Sequence, residues 1–134
     1  MTRPESSRDK RQRQAAAWAE SCFGREVVED RRERVTRILE EAIELAQAEG
    51  LDVGTVARLS DRVFAKPPGV PRQELGGLGV CLLVYAEAAG VSADAVEAEE
   101  VAAVLTRDPA HFRDRQNAKA ALGLGKPCEE RTID

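Results

Sequence analysis

Three glutamates crowd one short stretch of the chain, "ILEEAIELAQAEG". Glu40, Glu41 and Glu44 lie within two turns of a predicted helix, and Glu41 and Glu44 are three positions apart. On a helix this spacing leaves roughly 5–6 Å between Cβ atoms, and like charges so placed repel. Either nearby arginines neutralise these carboxylates or a cation binds them. Two carboxylates at this distance suit Mg²⁺, which takes oxygen ligands and usually keeps several waters.

An ordinary solvated helix face is the alternative interpretation of these glutamates. Arg37 lies three positions before Glu40 and four before Glu41, and helix faces of mixed charge are commonly just solvated. A cation that precedes its anion by four residues is, however, in the poorer orientation for pairing. The other face of the same helix is an apolar stripe, which predicts burial against a core. It comprises Val35, Ile38, Leu39, Ala42, Leu45 and Ala46.

A further glutamate, Glu74, begins the apolar stretch "ELGGLGVCLLVYAEAAG". A helix that is apolar nearly all round is buried in a bundle or at a subunit interface. A carboxylate on such a helix must be paired, protonated or metal-bound, unless it lies exposed in the first turn, where the helix dipole favours it. Gly76, Gly77 and Gly79 each cost about 1 kcal/mol relative to alanine inside a helix. They therefore predict close approach of another helix or of a ligand.

The fold predicted from these patterns is all-α. Helix-forming residues dominate, and sustained alternation of apolar and polar residues is missing. We expect a single-domain bundle of five to six helices, over residues 12–23, 29–49, 53–64, 72–89, 93–106 and 110–121. Glycines, the "KPPGVP" turn and Ser92 as an N-cap separate them. Residues 1–13 are predicted to be a flexible basic segment, 14–122 the helical domain and 123–134 a loose tail.

Composition narrows the functional classes. A length of 134 residues fits one domain, and the net charge of −4 argues against a nucleic-acid binder, which usually has a clustered basic face. The basic N-terminal segment keeps nucleic-acid binding as a weak alternative. Cys22, Cys81 and Cys128 lack CxxC spacing, which argues against a disulfide framework or a zinc site. Free thiols, no long apolar run and no signal sequence predict a cytoplasmic protein that does not cross a membrane.

Two motifs together resemble a known family. "EEAIE" followed by "ELGGL" is similar to the paired acidic motifs, EExxE and ExxD, of the MazG-like all-α nucleotide pyrophosphohydrolases. The stretch "WAESCFG" resembles a small-protein branch of that family seen in actinobacteria and their phages. The resemblance covers residues 34–122. It implies a helical bundle that forms a homodimer or a dimer of dimers, and hydrolysis of a nucleoside triphosphate to the monophosphate and pyrophosphate with Mg²⁺, for which Mn²⁺ could substitute.

The resemblance also implies roles for individual residues. Glu41, Glu44 and Glu74 would be metal ligands, and Glu40 would orient or deprotonate the attacking water. Bound metal would turn an acidic patch into one that attracts an anionic polyphosphate. Cations are also needed at the far end of the phosphates, and the candidates are Lys119 and Arg115 on the last predicted helix, with a solvent-facing charged stripe as the alternative.

One position departs from the family pattern. Gly77 stands where the second motif has its aspartate. Glu87, Glu99 or Glu100 could replace that ligand, or a water could fill its place. Alternatively the protein has weakened or lost catalysis and binds a nucleotide or a protein partner. Both readings remain open from the sequence.

Overall fold

The computed structural model describes residues 2–130, and all secondary structure in that range is helical, with no strand. The predicted all-α class is confirmed, with seven helices over these residues rather than five to six. The helices are α1 Ser7–Phe23, α2 Arg25–Glu29, α3 Arg31–Ala48, α4 Val53–Phe64, α5 Pro71–Ala89, α6 Ala93–Leu105 and α7 Pro109–Ala121.

Hydrogen bonds and a glycine in the N-terminal part of the chain explain both the early start of α1 and the additional helix α2. Ser6 and Asp9 form a capping box, in which each side chain accepts from the backbone N–H of the other. This reciprocal cap satisfies two otherwise unpaired donors, so α1 begins at Ser7, five positions before the predicted start. Gly24 has a φ of 87°, which ends α1 and separates it from α2. Asp30 then accepts from the backbone N–H groups of Arg32 and Glu33 and starts α3.

The other helix ends lie within two residues of the predicted ones, and the predicted signals Ser92 and Gly90 are confirmed. Asp52 accepts from the Thr55 N–H at 2.7 Å and begins α4. Ser92 accepts from the Ala95 N–H at 3.1 Å, as expected of an N-cap. Asp108 accepts from the Ala110 N–H at the start of α7. Gly90 ends α5 in the left-handed conformation, with a φ of 69°. These boundaries could be predicted because each depends on a few neighbouring residues.

The chain divides into two compact units. The first, unit 1, comprises Met1–Glu40 with Ala98–Asp134, and the second, unit 2, comprises Glu41–Glu97. The core of unit 1 joins α1, α2 and α7. The Trp18 ring packs edge-on against Phe112 at 4.9 Å and against Phe23 at 5.9 Å. The buried residues of this core are Ala19, Cys22, Phe23 and Val27.

The chain after α7 is bound to unit 1. Lys126 donates its backbone N–H to Glu33, and its carbonyl accepts from Gln116 Nε2. The Cys128 N–H donates to Asn117, and Glu129 accepts from the Glu26 N–H at 2.6 Å. The described part of the predicted loose tail is therefore held by hydrogen bonds. Residues 131–134, the rest of that prediction, lie outside the described residues.

Unit 2 has little core of its own. Among its described residues Ala86 alone is buried. The prediction that the α3 stripe is buried against a core is wrong: Leu39, at the unit 1 end of the stripe, is 58% exposed, and Leu45, in unit 2, is 37% exposed. Most of α5 is exposed as well. Within residues 2–130 no single helix is long and apolar enough to cross a membrane, although α5 and α6 pass that test together as a bent pair.

Candidate functional site

The acidic residues of α3 fall into two groups, and the first is neutralised within unit 1. Glu33 is only 5% exposed. Its carboxylate accepts from Gln116 Nε2 at 2.6 Å and from the Lys126 backbone N–H at 2.9 Å, and Arg37 Nε lies 3.2 Å away. A buried carboxylate needs such partners, because leaving it unpaired in a poorly hydrated place is costly. Glu33 therefore joins α3, α7 and the C-terminal segment.

Glu40 is the second neutralised carboxylate. Lys119 Nζ lies 2.5 Å from one of its oxygens, and Arg37 Nη1 lies 2.9 Å from the other. Burial acts to raise the pKa of Glu40. The hydrogen bond and charge of Lys119, with the charges of Arg37 and Arg115, outweigh burial and lower the pKa overall. A carboxylate held in this way is a weaker base, so of the two roles predicted for Glu40, orienting a water fits better than removing its proton.

The structure brings three of the predicted site residues together in unit 1. Lys119 bonds directly to Glu40, and Arg115 is near enough to influence its charge. The Lys119 ammonium is thus already paired, whereas Arg115 is exposed on α7. Arg115 is the cation better placed to meet an anion from solvent. Phosphate binding by either residue remains a prediction.

The second group of glutamates is exposed in unit 2. Glu41 and Glu44 lie one turn apart on α3, and both are exposed. Glu74 is exposed in the first turn of α5, with its side chain against Gly69. None of the three side chains forms a hydrogen bond or ion pair with another described residue. Glu33 and Glu40 differ from these three glutamates, because basic side chains form ion pairs with both of their carboxylates.

The carboxylate oxygens of Glu41 and Glu44 are suitable ligands for a hard divalent cation. Two exposed carboxylates without internal cation partners supply the oxygen ligands that Mg²⁺ prefers. Within residues 2–130, however, no three His, Cys, Asp or Glu side chains are grouped so as to hold a metal ion. The described residues of the chain therefore do not bring Glu74 and the α3 pair together as a complete ligand set. Gly77 offers no ligand, although a Cβ there would meet nothing within 4 Å.

Sequence reasoning missed the ionic cluster that organises unit 1. Glu33, Arg37 and Gln116 were not predicted to act together, although Glu33 precedes Arg37 by four residues, the favourable order for an ion pair. That spacing was the available signal. Gln116 lies 83 positions from Glu33, so no local sequence pattern indicates the hydrogen bond between them.

A surface cleft at the start of α7 contains none of the predicted site residues. Its walls include the N-cap Asp108, together with Glu129 and Glu130, which make it acidic and poorly suited to a polyphosphate. Arg113 and Asn117 also line it, but both already bond to the C-terminal segment. We assign this cleft no role in nucleotide binding.

Comparison of the chain with protein-family models, with curated proteins and with solved structures gave no match.

Proposed function

We propose that this protein is an Mg²⁺-dependent nucleoside triphosphate pyrophosphohydrolase, which releases pyrophosphate and a nucleoside monophosphate. One observation carries the proposal. Glu41 and Glu44 present two exposed carboxylates on one turn of α3, and no described cation neutralises them, although the same helix pairs Glu33 and Glu40 with basic side chains. An acidic pair that the fold leaves unneutralised is suited to an external cation.

The roles proposed for the residues are those that the family resemblance and the sequence suggest. Glu41 and Glu44 supply oxygen ligands, and Glu74 is the further ligand that the family resemblance suggests. Glu40 directly precedes Glu41 on α3. Lys119 and Arg37 keep the Glu40 carboxylate ionised, and this carboxylate orients a water by accepting a hydrogen bond from it. Arg115, which is exposed on α7, remains the candidate that the sequence suggests for contact with a phosphate chain. When bound, Mg²⁺ polarises phosphoryl oxygens and lowers the pKa of a bound water.

The test is pyrophosphate release from a panel of canonical and modified nucleoside triphosphates with Mg²⁺. We expect release with the unaltered protein and its loss in Glu41→Gln and in Glu44→Gln. Both positions are exposed, so these changes should leave the fold intact. The matched control is Glu29→Gln, because Glu29 is an exposed glutamate in a surface pair with Arg25. Absence of release with every nucleotide tested would contradict the proposal.

A second candidate function is nucleotide or partner binding without turnover. Two observations favour it: Gly77 replaces the expected aspartate, and the described residues of one protomer hold no complete metal-ligand group. Calorimetry with a nucleoside triphosphate, with and without Mg²⁺, separates the two functions. Binding without pyrophosphate release supports this second function. A gain of release in Gly77→Asp would show that the rest of the site is competent.

A further inference from the structure

The C-terminal segment, residues 122–130, contains no helix or strand and is bound to unit 1 by hydrogen bonds. The Lys126 backbone N–H donates to Glu33 at 2.9 Å, and the Lys126 carbonyl accepts from Gln116 Nε2 at 2.8 Å. Both of these partners are buried. The backbone of the segment therefore covers a carboxylate of α3 and an amide of α7 that would otherwise meet solvent.

Apolar burial contributes little to the docking of this segment. Leu122 is 75% exposed and Leu124 is 55% exposed, although Cys128 packs at the edge of the core. Lys126 Nζ lies 3.3 Å from the Asp30 carboxylate in a partly exposed ion pair, and pairs of this kind contribute little. Segments with few buried apolar contacts open locally while the rest of the domain stays folded. We therefore expect this segment to open without unfolding of the core of unit 1.

Arg37 is the cation that the docked segment occupies. Its Nη2 donates to the Leu124 carbonyl, and its Nη1 donates to Glu40 at 2.9 Å. A guanidinium group binds phosphate oxygens through the same N–H donors. The Leu124 carbonyl thus takes a donor from which a phosphate oxygen would otherwise accept.

Gly125 allows the segment to dock this closely. A Cβ at this position would lie 3.2 Å from Gln116 Nε2, 3.3 Å from Arg37 Nη2 and 3.4 Å from Glu33 Oε1. Contacts of this length are tighter than most that real Cβ atoms make, and glycine is the residue that permits such close approach of a backbone. A larger residue would push the segment away from Arg37.

The two cations predicted for a phosphate chain lie beside Arg37. Lys119 shares the Glu40 carboxylate with Arg37, and Arg115 acts on the same carboxylate through its charge. We propose that the C-terminal segment is autoinhibitory: when docked it occupies Arg37, and when open it leaves Arg37 free to bind a polyphosphate together with Lys119 and Arg115. The proposal rests on the proposed function, because it names the regulation of that same site.

Docking of the segment and binding of the anion then compete for Arg37. A ligand that binds only the open form raises the population of that form. By linkage, a substitution that favours the open form tightens binding of the ligand by the same factor. The probe is inorganic tripolyphosphate without a divalent metal, so that the Glu41 and Glu44 pair takes no part in the measurement.

The experiment measures hydrogen exchange of single backbone N–H groups by NMR. The Cys128 N–H donates to Asn117 at 2.9 Å and reports opening of the segment. The N–H of Ala19, which is buried in the core, reports unfolding of unit 1. We expect tripolyphosphate to accelerate exchange at Cys128 in proportion to its concentration and to leave exchange at Ala19 unchanged.

Lys126→Met separates opening from simple charge attraction. The change removes the ion pairs of Lys126 with Asp30 and Glu26, so exchange at Cys128 should become about threefold faster. Tripolyphosphate should bind this variant more tightly by the same factor, although the variant has lost a positive charge. The matched control is Lys66→Met at an exposed position, which removes the same charge and should not tighten binding.

Gly125→Val tests the close approach to Arg37. Overpacking should displace the segment and accelerate exchange at Cys128 by about tenfold or more, with a matching gain in tripolyphosphate affinity. The control is Gly76→Val, because an added Cβ there would meet no described atom within 4 Å. This control should change neither the exchange nor the affinity.

Three results would overturn the inference. The first is exchange at Cys128 that tripolyphosphate slows or leaves unchanged. The second is a tripolyphosphate affinity that neither Lys126→Met nor Gly125→Val increases. The third is equal acceleration by tripolyphosphate at Cys128 and Ala19, because the opening would then be unfolding of unit 1.

The inference and the proposed function fail separately. Opening driven by tripolyphosphate, in a protein that releases no pyrophosphate from any nucleotide, supports the competition for Arg37 and contradicts the enzyme. Pyrophosphate release that Lys126→Met does not accelerate, with exchange at Cys128 insensitive to tripolyphosphate, contradicts the inference and leaves the enzyme intact.

Discussion

Lys119 Nζ lies 2.5 Å from Glu40 Oε1, in an ion pair between α7 and α3 that joins residues 79 positions apart in sequence. The second oxygen of Glu40 accepts from Arg37 at 2.9 Å. Both partners of the pair are mostly buried, since the Lys119 and Glu40 side chains are 25% and 27% exposed. Glu40 therefore stabilises unit 1.

Lys119→Met should destabilise the protein by about 1–3 kcal/mol, because a charged hydrogen bond is lost and the Glu40 carboxylate keeps fewer partners. The free energy of unfolding in urea measures this. Arg25→Met is the matched control, because Arg25 is 72% exposed and exposed ion pairs contribute only about 0–1 kcal/mol. Equal losses in the two variants would show that the Lys119 pair adds nothing beyond an ordinary surface contact.

The Glu40 pair should also make stability depend on pH. The pKa of Glu40 is lowered from its ordinary value of 4.5. A lowered carboxyl pKa stabilises the folded state above the unfolded pKa, and that contribution is lost as pH falls through the folded pKa. The stability difference between the unaltered protein and Glu40→Gln should thus stay constant above about pH 5.5 and shrink in more acidic solution. Urea unfolding of both proteins across this range measures it, and a difference that widens with acid contradicts the assignment.

Glu33→Ala should be among the most destabilising single changes. It removes a carboxylate that is 5% exposed and leaves Arg37 and Gln116 without their shared acceptor. Removing one member of a buried ion pair typically costs about 3–5 kcal/mol. Glu29→Ala, at an exposed position, should change stability by no more than about 0.5 kcal/mol. Similar thermal midpoints for the two variants would contradict a structural role for Glu33.

The sequence predicts more of the fold than of the candidate site. The helix ends at Ser92 and Gly90 depend on caps and turns within a few residues, so local patterns sufficed to predict them. The burial of Glu33 depends on Lys126, 93 positions away. The apolar stripe of α3 correctly predicted a helix, but its predicted burial against a core is wrong, because periodicity identifies an apolar face without identifying what covers it.

The three thiols should differ in reactivity. Burial is the main cause that raises the pKa of Cys22 and of Cys128 above the ordinary thiol value, so little thiolate forms at pH 8. Cys81 is exposed on α5. Alkylation followed by mass spectrometry should therefore modify Cys81 well before the other two, and in urea all three should react at similar rates. Early modification of Cys22 in the folded protein would contradict the packing of unit 1.

The most direct test of the central claim is divalent-ion binding by the Glu41 and Glu44 pair, followed by the electron paramagnetic resonance signal of free Mn²⁺ during titration. We predict that the unaltered protein and Glu29→Gln bind Mn²⁺ equally. Loss of even an outer partner of a metal ligand typically lowers metal affinity about 10–100-fold, so Glu41→Gln and Glu44→Gln should each bind at least about tenfold more weakly. Equal Mn²⁺ binding by all four proteins, or none by any, would contradict the claim that this acidic pair holds a metal ion.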